Sequence, residues 1–422
     1  MGLDTLTLIA AGILAYGLVS ARIGQTWLTA PMAFVAVGVG THLLGLVAWD
    51  TSPHAVNLLA EITLVLVLFT DATRIDLRLL QREHNVPLRL LLIGIPLMVL
   101  FGTGTAALLF PELSPWQAAV LAAVLTPTDA ALAQPVVNLN AIPARIRQTI
   151  NVESGLNDGL MLPIVLILTT LAGADSANGS LASWIGLLVG QVTLGPLVGI
   201  AIGYGGGKLV QRSTQAGWMN HAFQDLSAVA LSVLAFAVAT QVGGNGFIAA
   251  FVAGLTLGNF ARDVCTRIFE FGEAEGQLLT LIVFLVFGAV LLPESAGQIN
   301  ATMIIYAVLS LVLLRPLASA LSLLGHGLRW PTVLFLGWFG PRGVASLLFA
   351  ILVVQESAMP GQSFIMAAVA VAVLMSVVLH GISAHPLSRR YGSWLQRAEA
   401  SAPQAETRSV EEMPTRTSSF SD

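Results

Sequence analysis

Charge is scarce in this chain. Asp, Glu, Lys and Arg make up 10% of its 422 residues and hydrophobic residues 55%, where a soluble domain carries about 25% charged residues. The mean hydropathy is +0.81. So few charges cannot cover the surface of an ordinary soluble fold. Lysine is nearly missing: Lys208 stands alone, and the net charge is −4. That excludes the basic face on which nucleic-acid binding depends. A single cysteine, Cys265, excludes a disulfide framework and a Cys-based metal cluster. The first twenty residues are apolar but lack the basic leading segment of a secretory signal, so they read as a membrane segment. Ten-residue stretches alternating apolar and polar residues are missing, which excludes an outer-membrane barrel.

What is present is a succession of apolar stretches. A membrane span needs about 20 mostly apolar residues. Thirteen stretches meet that need: 3–20, 29–48, 55–72, 87–110, 115–135, 149–172, 182–206, 222–241, 245–260, 274–292, 300–324, 331–354 and 362–385. The expected fold is all-α: a polytopic membrane protein of thirteen transmembrane helices. Residues 1–390 form the transmembrane domain, and 391–422 form a cytoplasmic tail expected to be disordered, its Ser, Thr, Pro and Glu being unable to bury a core.

The basic residues supply an orientation. Apart from Arg315 and Arg342, they fall in alternate loops, at Arg22, at Arg74, Arg78, Arg82 and Arg89, at Arg145 and Arg147, at Lys208 and Arg212, at Arg262 and Arg267, at Arg329, and in the tail. The intervening loops 111–115 and 173–183 hold none. Positive loops face the cytoplasm. The N-terminus is therefore expected outside and the C-terminus in the cytoplasm.

An ionisable residue at membrane depth costs at least ~2.5–3.5 kcal/mol on insertion scales. The informative ones are Glu61, Asp71, Asp129, Glu153, Asp158, Arg315 and Arg342. Asp129 lies mid-span in Leu125-Thr-Pro-Thr-Asp129. Pro127 removes a backbone donor and crowds the preceding turn, so the helix is expected to break beside Asp129. Span 12 has a similar interruption, Gly337-Trp-Phe-Gly-Pro341-Arg342-Gly343. Irregular backbone at membrane depth lines a cavity or is buried in protein. Two interrupted spans, each second from last in its half, point to a transporter site on inverted repeats. A pair of ordinary proline kinks is the plainer reading.

In span 6, Ser154 and Asp158 lie four apart, as do Glu153 and Asn157, so each pair shares a helical face. Ser154, Asp158, Asp129 and the Thr128 carbonyl would make a small oxygen-only cage. Hard cations take oxygen ligands, and calcium takes 6–8 of them, so this sparse set suits a monovalent ion. A carboxylate out of water is neutralised by a proton or by a cation. Competition between the two is an exchange mechanism. The bland reading of Asp158 is a salt bridge with Arg315 or Arg342.

Thr128-Asp129, Glu153-Ser-Gly-Leu-Asn157-Asp158 and Gly340-Pro-Arg342-Gly-Val-Ala-Ser resemble the monovalent cation/proton antiporter family, in its sodium/proton exchanger branch carrying an Asn-Asp pair. So do Gly246-Phe-Ile-Ala-Ala-Phe-Val-Ala-Gly254 and Leu66-Val-Leu-Phe69-Thr-Asp71, and the likeness covers residues 5–390 in order. The resemblance implies cation ligation by Asp129, Ser154 and Asp158 with a backbone oxygen of Thr128. It implies that Asp71 reaches the ion, through water, and pairs with Arg342. It makes Asn157 the Asn of the Asn-Asp pair and pairs Glu153 with Arg315. It also implies a homodimer in lipid and an elevator-like shift of one domain. Two positions depart from the family pattern: Ala130 stands where proline is usual, and Asp71 where glutamate is common.

The expected function is antiport of cytoplasmic Na⁺, or Li⁺ or K⁺, against H⁺ across the inner membrane. Asn157, neutral where electrogenic relatives carry a second aspartate, implies a one-to-one electroneutral exchange. A K⁺/H⁺ antiporter of the same fold is the first alternative. The alternative from another class is an ion-conducting channel or a regulatory membrane subunit. A channel would want a filter run such as Thr-Val-Gly-Tyr-Gly, and a membrane enzyme a nucleophile–base pair or metal cluster; neither pattern is present, and no cofactor is expected. His54, His84, His221, His326 and His385 lie in loops or at span ends, and His380, inside span 13, is grouped with them as a polar bystander. Trp49, Trp116, Trp184, Trp218 and Trp330 read as interfacial anchors.

Overall fold

Apolar helices account for nearly all of the structure. The computed structural model describes residues 3–23, 26–47, 53–83, 85–139, 141–176, 181–356, 359, 361–399 and 406. In chain order the helices are α1 (Leu3–Ile23), α2 (Ala30–Leu43), α3 (Pro53–Thr73), α4 (Leu77–Glu83), α5 (Asn85–Arg89), α6 (Ile95–Leu109), α7 (Pro115–Val124), α8 (Ala130–Val137), α9 (Ala144–Ser176) and α10 (Leu181–Gln215). They continue with α11 (His221–Gln241), α12 (Gly246–Phe260), α13 (Arg262–Val286), α14 (Leu292–Ala296), α15 (Ala301–Leu309), α16 (Arg315–Ser322), α17 (Trp330–Trp338), α18 (Val344–Glu356) and α19 (Gln362–Glu399). Among the described residues there is no strand. Among the described residues eight helices are long and apolar enough to cross a membrane, and four shorter apolar ones accompany them.

Local chemistry sets the helix ends. Ser114 and Gln117 form a capping box at the start of α7. Asn220, Asn245 and Asn300 cap α11, α12 and α15 with their side chains. Three π turns, Leu90–Gly94, Phe287–Leu291 and Ser310–Leu314, each precede a proline by one residue: Pro96, Pro293 and Pro316. Proline offers no N–H to the carbonyl four residues back and crowds it. The chain widens there, and the N–H of Arg315 reaches the carbonyl of Ser310.

Apolar side chains gain little by leaving lipid for protein, so close backbone packing matters more. The main core joins α3, α7, α9, α18 and α19 through residues such as Leu64, Leu121, Val165, Leu347 and Val373. A second cluster gathers Leu90, Val136, Ile146, Phe335 and Tyr391. Two features differ from the sequence expectation. The boundary at residue 390 falls inside α19, because Tyr391 and Leu395 are buried and carry the helix on. Glu406, within the expected tail, is also buried: its Oε1 accepts the backbone N–H of Arg329 at 2.8 Å and the hydroxyl of Thr332 at 3.1 Å, at the N-terminus of α17. Residues 400–405 and 407–422 lie outside the described residues, as does Trp49.

Candidate ion-binding site

The first break runs from Leu125 to Asp129, between α7 and α8. Asp129 caps α8: its Oδ1 accepts the N–H of Ala131 at 2.7 Å and of Leu132 at 3.3 Å. A carboxylate suits the positive end of a helix. The second break, residues 339–343, separates α17 from α18.

The two breaks meet. The N–H of Asp129 donates to the carbonyl of Pro341 at 2.8 Å, and the N–H of Val344 donates to Asp129 Oδ2 at 2.7 Å. The carboxylate therefore sits at the N-termini of two half-helices. A Cβ on Gly343 would overlap Asp129 Oδ2, and one on Gly340 would overlap the Arg315 guanidinium.

Arg342 is fully buried. Its Nη1 donates to the carbonyls of Thr126 and Pro127, which the first break leaves without helical partners. This corrects the expected pairing with Asp71: in this structure the guanidinium is held by main-chain oxygens. Asp71, at the end of α3, instead lines a cavity of about 30 Å³ with Thr70, Arg74, Ala131 and Gln134. That is room for about two waters.

Helix α9 supplies the opposite wall. Thr128 Oγ1 and Ser154 Oγ are 3.0 Å apart, and Asn157 Nδ2 donates to Thr128 Oγ1 at 2.6 Å. Asp158, one turn beyond Ser154, is buried with them. Glu153 pairs with Arg315, both inside the protein. The π turn ending at Leu314 immediately precedes Arg315. The structure thus joins Thr128, Ser154 and Asn157 by direct contact, with Asp129 next to Thr128 in the chain and Glu153, Asp158, Arg315 and Arg342 also buried. Glu61, partly buried on α3, takes no part.

The comparisons bear on what such a crossing belongs to. The family model described as "Sodium/hydrogen exchanger, transmembrane" matches residues 7–390. The chain belongs to the sodium/hydrogen exchanger family. Among similar members, a K⁺/H⁺ antiporter NhaP of Alkalimonas amylolytica is 28% identical over 407 residues, covering 93% of this chain and 67% of that protein. A K⁺/H⁺ antiporter NhaP2 of Shewanella sp. (strain MR-4) is 25% identical over 383 residues, covering 89% of this chain and 64% of that protein. The chain spans about two thirds of the length of these relatives. The sodium proton antiporter MjNhaP1 of Methanocaldococcus jannaschii shares the fold with a TM-score of 0.76 at 18% identity, covering 92% of this chain and all of that one.

For this family member, sequence reasoning missed two residues of α19. His380, grouped with the loop histidines, is 1% exposed in the middle of a helix. Its partner Ser376 is fully buried and accepts the N–H of Arg342 at 2.6 Å. The available signal was the one applied to the acids: an ionisable residue inside a span has a partner there.

Proposed function

We propose that this protein is a secondary antiporter that exchanges Na⁺, or Li⁺ or K⁺, for H⁺ across the cell inner membrane, with cation and proton competing for Asp158 and Asp129. One observation carries the reading: the Asp129 carboxylate lies where two broken helices cross, and the adjacent Thr128 contacts Ser154 and Asn157 on the face of α9 that also carries Asp158. Three backbone N–H groups occupy the Asp129 carboxylate. Four lone-pair sites are available, so Asp129 is a fixed acceptor with one site for an ion. Asp158 contributes the second carboxylate, Ser154 a hydroxyl and Thr128 a backbone oxygen. Waters in the cavity beside Asp71 connect that acid to the site.

The finer architecture is part of the same proposal. Thirteen spans form two inverted repeats, with spans 5 and 12 as the crossing helices. The paired π turns of spans 4 and 11, each with its proline, support that equivalence. The N-terminus lies outside and the C-terminus in the cytoplasm. Residues 1–390 carry the transport machinery, and the remainder, beginning within the last turns of α19, is a cytoplasmic extension. The protein works as a homodimer in lipid and moves its ion by an elevator-like shift. Asn157 hydrogen-bonds Thr128 and adds no charge, so one proton is exchanged for one cation.

A K⁺/H⁺ antiporter is the second reading, favoured by the names of the NhaP and NhaP2 relatives. Both readings are tested by dissipation of a pH gradient in proteoliposomes on addition of NaCl, LiCl or KCl. The expected result is a cation-dependent response that names the ion. No response to any of the three, from correctly inserted protein, overturns antiport.

A further inference from the structure

A helix broken in the membrane leaves main-chain groups without partners, and they must be satisfied inside the protein. In the second break two main-chain groups are met by side chains of α19. The N–H of Arg342 donates to Ser376 Oγ at 2.6 Å. The carbonyl of Trp338, at the last residue of α17, accepts the N–H of Gly340 at 2.8 Å and also faces His380 Nε2 at 2.9 Å. Ser376 Oγ and His380 Nδ1 are 3.1 Å apart. His380 Nδ1 also lies 2.9 Å from the Ser376 carbonyl, so the ring meets Ser376 through both its hydroxyl and its carbonyl, while a proton on Nε2 is donated to the Trp338 carbonyl.

We infer that His380, acting through Ser376, is a positioning residue for ion binding: it bridges the gap in the second broken helix and sets residues 339–344 against Asp129. The Trp338 indole is held in the same way, donating from Nε1 to Ser383 at 2.9 Å. Further along, Thr332 and Tyr391 lie 3.0 Å apart through their hydroxyls and Phe335 stacks on Tyr391. Helix α17 is thus fastened to α19 along its length, and the fastening ends at the break. The segment it holds supplies the Pro341 carbonyl to the Asp129 N–H and the Val344 N–H to Asp129 Oδ2. His380 touches neither the ion nor Asp129. Losing it loosens the acceptor geometry around the carboxylate and leaves the protein's acids unchanged. This rests on the antiport reading above for its transport readout alone.

The test uses the full chain with His380→Leu, His380→Gln and Ser376→Ala, alone and as the Ser376→Ala/His380→Leu pair. Amide hydrogen exchange read by mass spectrometry over residues 339–344 is expected to quicken at least tenfold in His380→Leu, with exchange in α10–α12 unchanged. In proteoliposomes the half-saturating cation concentration is expected to rise at least fivefold while the maximal rate stays within twofold. His380→Gln, which keeps a donor and an acceptor, is expected to recover most of both. The double variant is expected to match the worse single variant. Unchanged exchange over 339–344 in His380→Leu overturns the inference, as does a loss of maximal rate with an unchanged half-saturation. If His380→Leu does not fold, His380→Gln and Ser376→Ala decide by the same two readouts. Wild-type protein that moves no cation defeats the antiport reading, and the exchange data still decide this inference.

Discussion

Val344 donates its backbone N–H to Asp129 Oδ2 at 2.7 Å across 215 positions of sequence. Each residue lies at the start of a half-helix, Asp129 capping α8 and Val344 opening α18. One carboxylate therefore joins two helix N-termini. Backbone dipoles of this kind place partial positive charge at the carboxylate without adding an ionisable cation.

Asp158→Asn is expected to reduce cation-dependent dissipation of a pH gradient to the level of protein-free vesicles. Asp158→Glu, which keeps the charge, should retain measurable exchange with a shifted half-saturation. Equal activity of Asp158→Asn and wild type would remove Asp158 from the ion site.

Gly343→Ala places a methyl group against Asp129 Oδ2. The expected outcome is loss of exchange in protein that still elutes as a single species in detergent. Gly297→Ala, where the added methyl meets open space, serves as the control and should behave as wild type.

Glu153 and Arg315 are paired inside the protein. Removing one partner leaves a buried charge alone, which costs about 3–5 kcal/mol. Glu153→Gln should therefore lower the thermal unfolding midpoint markedly, measured in detergent. Replacing both residues by leucine should recover much of that loss, since a buried pair adds little over an apolar one.

Solid-supported membrane recordings should detect no sustained current from the wild type when cation and pH gradients are applied, because one charge moves in each direction. A clear transport current would show that more than one proton accompanies each cation, and that Asn157 does not set the stoichiometry.

Much of the site was legible in the residue types. Prolines at 127 and 341 mark the breaks because proline cannot continue the hydrogen-bond ladder, and carboxylates inside spans mark a candidate site because each needs a partner within the protein. Helical spacing alone put Ser154 and Asp158 on one face of α9. Other features were illegible because they depend on which distant chain arrives. Arg342 was expected on Asp71, yet two carbonyls left by the first break hold it, and only the crossing of the breaks brings them within reach. His380 looked like one more histidine until α19 lay beside α17. The sequence by itself determined an all-helical membrane protein with two proline-broken helices and a sparse set of buried acids, since hydropathy and backbone chemistry are local. The tertiary structure decided which orphaned backbone group each buried side chain satisfies, since that choice belongs to whichever helix comes within hydrogen-bonding distance.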